Sequence, residues 1–185
     1  VSLIAESVKN CKVASLARVV EKDIDKAAQA LEKATDPRIH TFVSSSAIHM
    51  EHQMRKDPEE IIEMAVKAVT RAKKYVDDVE FSPMDATRTD MDFLITLLEE
   101  TISAGATTIN IPDTVGYSVS KEFGESIKLI INKVKNIDGV IVSVHCHNDL
   151  GLAVSNSLSA VENGARQIEG CINGLGERAG NAALE

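Results

Sequence analysis

Six short segments rich in β-branched residues alternate with amphipathic segments along this 185-residue chain. Such alternation is typical of a parallel sheet covered by helices. Polar side chains stand at the carboxyl end of nearly every predicted strand, which is where barrel active sites are built. No glycine-rich phosphate loop follows a strand, which disfavours a nucleotide-binding open sheet. The sequence therefore predicts an α/β fold: a (β/α)8 barrel that is incomplete here, with about six of the eight strands present.

The strands are predicted from short apolar runs, and the helices from apolar residues at three- and four-residue spacing. The predicted strands are residues 12–19, 38–44, 78–82, 107–113, 140–148 and 167–173. The predicted helices between them are residues 23–35, 58–76, 91–104, 120–134 and 152–163. Pro58 with the acids after it favours a helix start, Asp90 is a capping residue, and Gly105 is a helix stop.

Charge and composition limit the function classes. The chain has 20 basic and 28 acidic residues, a net charge of −8, which argues against a nucleic-acid partner. No apolar run is long enough to span a membrane, and the first six residues do not resemble a secretion signal. Three cysteines are too few for a disulfide framework. We therefore expect a soluble cytoplasmic protein with no membrane partner.

The strongest local motif is His145-Cys146-His147, on the fifth predicted strand. Alternate side chains of a strand share a face, so the two histidines point one way and Cys146 points the other. Two imidazoles at this spacing are able to reach one divalent ion, and we favour that interpretation over a hydrogen-bonded histidine pair. Cys146 is expected to be a small core residue.

A glycine-rich segment, residues 173–181, ends the last predicted strand and continues beyond it. Its glycines permit tight turns and close backbone approach. It is either a structural loop with a surface pair of Glu177 and Arg178 or part of a site. In a barrel it follows the strand next to the one that bears His145, so Asn181 is a candidate to complete a mixed nitrogen and oxygen coordination sphere.

Other polar residues lie on inward faces of predicted strands. Glu80 shares a face with Ser82, and this acid is either paired structurally or functional. Thr114 is a hydrogen-bond donor at the end of another strand. For a lone histidine such as His40, the residues alone favour a hydrogen-bonded core side chain.

Residues 145–153 read HCHNDLGLA, and residues 164–170 and 173–181 read GARQIEG and NGLGERAGN. These motifs resemble a family of metal-dependent Claisen-condensing (β/α)8 enzymes, and the resemblance extends over essentially the whole chain. The family includes 2-isopropylmalate, homocitrate, citramalate and methylthioalkylmalate synthases. The resemblance implies an acyltransferase of leucine biosynthesis, a 2-isopropylmalate synthase that condenses acetyl-CoA with 2-oxoisovalerate.

The resemblance also implies a divalent metal ion, Mg²⁺, Mn²⁺ or Zn²⁺. In the family an aspartate, two histidines and an asparagine hold it, and His145, His147 and Asn181 match three of these ligands. The aspartate normally lies on the first strand in an Arg-Asp-Gly-x-Gln motif, which this chain does not contain.

By the same resemblance, His40, Ser82 and Thr114 contact the 2-oxoacid, and acetyl-CoA is the co-substrate. Glu177 is the candidate catalytic residue that organises the site, while the general base is not identified. The chain departs from the family pattern at Met84, where a glutamate that positions substrate is expected.

We expect residues 1–185 to form one catalytic TIM-barrel domain that lacks the first two strands and anything after the last strand. Six strands leave two sheet edges, so a homodimer or a higher oligomer is expected. Two alternatives remain open: a sister acyltransferase of the same family, or a non-catalytic folding or interaction unit.

Overall fold

Strands and helices alternate through the computed structural model, which describes residues 1–185. The strands are β1 (Val13–Arg18), β2 (Pro37–Ser44), β3 (Asp78–Met84), β4 (Thr108–Asp113), β5 (Ile141–Cys146) and β6 (Gln167–Glu169). The helices are α1 (Ser2–Ser7), α2 (Glu21–Leu31), α3 (Ala47–His49), α4 (Pro58–Ala72), α5 (Met91–Ser103), α6 (Ser120–Lys133) and α7 (Ala153–Glu162). Each helix is too short or too polar to cross a lipid bilayer.

The six strands form one sheet in which every neighbouring pair is parallel and the spatial order is the chain order. A doubly wound sheet reverses its strand order at a switch point, and this sheet has no such reversal. The predicted alternation and all six predicted strands are therefore confirmed. The strand order is that of consecutive strands in a barrel.

The last predicted strand was too long. It was expected to continue to Asn173, but β6 ends at Glu169 and a short 3₁₀ turn occupies Ile172–Gly174. Asn173 has a φ of +57°, a left-handed conformation that a strand does not accept. The fifth strand also ends earlier than predicted, at Cys146, so that His147 lies just beyond it.

The sheet is strongly curled. Arg38 on β2 donates from Nη1 to Oε1 of Gln167 on β6, 2.9 Å away. In a flat sheet these strands are four spacings, or about 19 Å, apart, which two side chains cannot span. Because the two side chains meet, β2 and β6 must face each other across a concave surface, as strands of a barrel do.

Arg38 is the centre of a buried polar network on this concave surface. Its guanidinium donates to both carboxylate oxygens of Asp78 at 3.0 Å, to Glu80 at 3.0 Å and to the hydroxyl of Thr108 at 3.2 Å. Gln167 donates to the other oxygen of Glu80 at 2.9 Å. Glu80 is 2% exposed, so these partners replace the water that its carboxylate has lost.

The opposite, convex face of the sheet carries the apolar core. Strand residues that alternate with the inward polar ones are fully buried between sheet and helices. They include Ile39, Val79, Phe81, Ile109 and Val144. The Pro58 helix start is confirmed, because Asp57 and Glu60 form a reciprocal capping box at the start of α4.

The Arg38 network gives a first prediction. Arg38→Met leaves Asp78 and the buried Glu80 without their shared cation, so at a pH of about 9, above the pKa of Glu80, we expect the free energy of unfolding to fall by about 3–5 kcal/mol in chemical denaturation. The double substitution Arg38→Met with Glu80→Leu removes the unpaired charge and should recover most of this loss. A double variant as unstable as the single one would contradict the electrostatic explanation.

The two sheet edges give a second prediction. The edge strands of the sheet are β1 and β6, and they carry exposed apolar side chains, Leu16 at 63% and Ile168 at 38% exposure. Because unpaired strand edges and exposed apolar groups promote association, we expect the isolated chain to oligomerise or aggregate at tens of micromolar. Light scattering that reports a monodisperse monomer would refute this.

Candidate metal centre and substrate cavity

A cavity of about 410 Å³ opens on the concave face, toward the carboxyl ends of the strands. Inward side chains from all six strands contribute to its wall. The lining residues are Ala14, Leu16, His40, Phe42, Ser82, Met84, Asn110, Pro112, Thr114, His145, His147, Glu169 and Glu177. All four residues predicted to be catalytic or substrate-binding, and two of the three predicted metal ligands, therefore share one cavity.

The two histidines of the predicted metal motif converge. Nε2 of His145 lies 3.1 Å from Nε2 of His147, and Cys146 is fully buried on the other side of the strand. Two ligands about 2.1 Å from one ion, at angles between tetrahedral and octahedral, are about 3.0–3.4 Å apart. The spacing of the two nitrogens therefore fits a shared divalent ion.

Asn181, in the glycine-rich segment, lies beside His147. It forms an isolated antiparallel bridge with His147, which places the two side chains next to each other. Its amide nitrogen donates to Sγ of Cys171 at 3.2 Å, whereas its Oδ1 is buried and has no partner. A buried acceptor without a donor is costly in a protein, and a bound cation would satisfy it.

The glycine-rich segment is held against the neighbouring strand ends by Arg178. This side chain donates to both oxygens of Asp149, at 2.8 and 2.9 Å, and to the carbonyl of Thr114 at 2.7 Å. Glu177, in contrast, has an 80% exposed side chain at the edge of the cavity. The segment is thus a loop that closes one side of the cavity.

His40 belongs to a hydrogen-bonded group at the base of the cavity. Its Nε2 is 2.7 Å from Oγ of Ser82, which accepts a hydrogen bond from Asn110 at 3.0 Å. Burial lowers the pKa of His40, as does the nearby charge of Arg38, despite the opposing effect of Glu169. The ring is therefore neutral at physiological pH and able to hydrogen-bond an anionic substrate.

His147 is also held in its neutral form. Burial, His145 and the positive charge of Arg178 together lower its pKa. A neutral imidazole is the form that binds a metal ion, so the environment of this ring suits a ligand.

Two carboxyl groups, those of Glu80 and Glu169, lie between the histidines and Arg38, and their pKa values shift in opposite directions. Burial and the proximity of Glu169 raise the pKa of Glu80 to about 7, despite Arg38. Burial alone would raise the pKa of Glu169 too, but its contacts with His145 and His40 outweigh burial and lower it. His40, Glu80 and Glu169 also form a compact His/Glu/Glu cluster with ligand atoms within 4.8 Å of one another.

Comparison with known proteins identifies the family. A family profile described as HMGL-like matches residues 1–185. The chain belongs to the HMGL-like family. It is 57% identical over all 185 residues to a 2-isopropylmalate synthase of Methylococcus capsulatus and 58% identical to one of Pyrococcus furiosus. The chain spans only 36% and 37% of the length of these relatives.

Solved structures show the same fold. A hydroxymethylglutaryl-CoA lyase from Pseudomonas aeruginosa superposes with a TM-score of 0.75 at 18% identity, over 96% of this chain and 61% of the lyase. The carboxyl transferase domain of Rhizobium etli pyruvate carboxylase gives 0.69 at 18% identity, over 99% and 30% of the two chains. The predicted TIM-barrel fold is confirmed, with six strands of the barrel present here.

The sequence did not single out Glu169 and Asn110 as site residues of this HMGL-like chain. Glu169 is the register partner of His145 on the adjacent strand, and Asn110 donates to its carboxylate at 3.3 Å. The available signal was the two-residue period, which puts Gln167 and Glu169 on the same inward face. The inward acid Glu80, which the sequence left open, is paired with Arg38 and is part of the structural network.

Gly176 gives a third prediction. A Cβ at this residue would lie 2.5 Å from Nδ2 of Asn181 and 2.9 Å from its Oδ1, so Gly176→Ala must displace the carboxamide. If Oδ1 is a ligand, we expect the affinity for Mn²⁺ or Zn²⁺ in calorimetry to fall roughly 10- to 100-fold.

Gly139→Ala is the matched control, because a Cβ at Gly139 meets no atom within 4 Å. It should bind the ion as the wild type does. Unchanged affinity in Gly176→Ala, with the fold intact by circular dichroism, would exclude Asn181 as a ligand.

Proposed function

We propose that this chain is the catalytic barrel part of a 2-isopropylmalate synthase, an enzyme that condenses acetyl-CoA with 2-oxoisovalerate in a divalent-metal-dependent Claisen reaction. The observation that carries the proposal is the convergence of Nε2 of His145 and Nε2 of His147, 3.1 Å apart, on the wall of the cavity. The names of the two relatives at 57% and 58% identity support the choice of reaction.

In this proposal His145, His147 and Asn181 hold the metal ion, which is Mg²⁺, Mn²⁺ or Zn²⁺. The convergent nitrogens and the unpartnered Oδ1 of Asn181 support this ligand set over the His/Glu/Glu cluster. In that cluster both oxygens of Glu80 already accept hydrogen bonds. When bound, the ion would act as a Lewis acid on the oxoacid carbonyl and stabilise negative charge on its oxygen.

His40, Ser82 and Thr114 are proposed to bind the 2-oxoacid. Oγ of Ser82 accepts from Asn110, and Oγ1 of Thr114 accepts from the backbone N–H of Asp85 at 2.9 Å. Thr114 therefore keeps its own proton to donate to a substrate oxygen, whereas the Ser82 hydroxyl also shares a hydrogen bond with Nε2 of His40, 2.7 Å away. These donors lie at different points of the cavity wall, so together they fix the orientation of the substrate.

The apolar part of the cavity suits a branched alkyl group. Leu16, Phe42 and Met84 line the same cavity as the donors. Position 84, where the family pattern has a glutamate, is a methionine here, so this part of the wall carries no charge. Such a surface favours the isopropyl group of 2-oxoisovalerate over the carboxylate of 2-oxoglutarate. This distinguishes the proposed substrate from that of a sister homocitrate synthase.

Glu177 is proposed as the catalytic carboxylate that organises the site for acetyl-CoA. It is exposed at the cavity edge, where a large co-substrate would have to enter. Its neighbour Arg178, 3.7 Å from the carboxylate, supplies a cation at the same edge. Removal of a methyl proton from acetyl-CoA requires a base, and the proposal assigns that role to no residue of this chain.

The proposal is tested by ion and substrate binding to this chain. We expect calorimetry to show binding of Mn²⁺ or Zn²⁺ that His145→Ala and His147→Ala abolish and the exposed-residue control His52→Ala retains. In the presence of the ion, 2-oxoisovalerate should bind more tightly than pyruvate or 2-oxoglutarate. Ion binding that survives both histidine substitutions would refute the metal centre, and preference for another oxoacid would refute the leucine assignment.

A further inference from the structure

Glu169 occupies a position between the two groups of histidines that the proposed function uses. Its Oε2 lies 3.2 Å from Nδ1 of His145, and its Oε1 lies 3.7 Å from Nδ1 of His40. Asn110 donates to Oε2 at 3.3 Å and also to Ser82. One carboxylate thus contacts a proposed metal ligand, a proposed substrate-binding ring and the amide that orders the substrate-binding serine.

The contact with His145 determines which nitrogen of that ring faces the cavity. Nδ1 is buried and makes no well-aligned hydrogen bond in this structure, and Oε2 of Glu169, 3.2 Å away, is the carboxylate oxygen beside it, while Nε2 faces His147. A carboxylate beside Nδ1 favours the tautomer with its proton on Nδ1, which leaves the lone pair on Nε2. Metal-binding histidines generally have such an acceptor on their second nitrogen.

The strand arrangement makes this contact rigid. His145 and Glu169 are register partners on the adjacent parallel strands β5 and β6, so the backbone fixes their separation. On the other side, Arg38 donates to Glu80, the second carboxyl group near Glu169, and makes no hydrogen bond with Glu169 itself. Glu169 therefore remains available to the two histidines instead of pairing with the guanidinium.

We propose that Glu169 is a positioning residue which keeps the proton of His145 on Nδ1, presents Nε2 to the divalent ion, and couples the metal centre to His40. This inference rests on the proposed function for the identity of the ion site. Glu169 makes no contact with the ion in this proposal. It acts on the two histidines, whereas Glu80 belongs to the structural network around Arg38.

The tautomer of His145 tests the proposal on the metal-free wild-type chain. At a pH of about 8, ¹⁵N NMR of the imidazole should show Nδ1 protonated and Nε2 unprotonated in His145. Glu169→Val removes the acceptor and should shift His145 toward the tautomer protonated on Nε2. A wild-type His145 that is protonated mainly on Nε2 would overturn the proposal without any substitution.

Ion affinity provides the second measurement. Glu169→Val should weaken Zn²⁺ binding roughly 10- to 100-fold, whereas Glu169→Gln, which keeps an acceptor oxygen, should restore most of the affinity. A Glu169→Val variant with wild-type tautomer and wild-type affinity would overturn the proposal. If neither the wild type nor any variant binds Zn²⁺, the proposed metal centre is refuted. The tautomer measurement then still tests separately whether Glu169 keeps the proton of His145 on Nδ1.

Discussion

The guanidinium of Arg38 is the interaction on which the rest of this structure depends. It reaches from β2 to Gln167 on β6 and also donates to Glu80, and so it joins strands that a flat sheet would hold about 19 Å apart. Two residues further along the strands, the same curvature brings His40, Ser82, Asn110, His145 and Glu169 together. The barrel interior thus has two layers of side chains: the polar network around Arg38, and, two residues nearer the carboxyl ends of the strands, the candidate site residues. Stacked layers of inward side chains are the usual packing of such barrels.

The sequence predicted the fold and the main motif because these follow from local periodicity. The alternation of strands and helices, the inward face of each strand and the convergence of His145 with His147 all depend on the two-residue period of a strand. The bounds of β1 to β4 were predicted to within two residues. The family, which the motifs suggested, is confirmed by the match over all 185 residues.

The parts that the sequence did not predict are those that depend on distant residues. Whether Glu80 is structural or functional is decided by Arg38 and Gln167, which lie 42 and 87 residues away along the chain. The contact of Glu169 with His40 exists only because the sheet curls. β6 ends at Glu169, and the 3₁₀ turn that contains the left-handed Asn173 is followed by a loop in which Asn181 pairs with His147.

The central claim is that one divalent ion binds at the convergent nitrogens of His145 and His147. The most direct test is a crystal structure of the chain with Zn²⁺, in which the metal is located by its anomalous scattering. We predict a single strong peak about 2.0–2.1 Å from Nε2 of both histidines, with Oδ1 of Asn181 as a further ligand. A peak among His40, Glu80 and Glu169 instead, with His145 and His147 still in contact through Nε2, would contradict the claim.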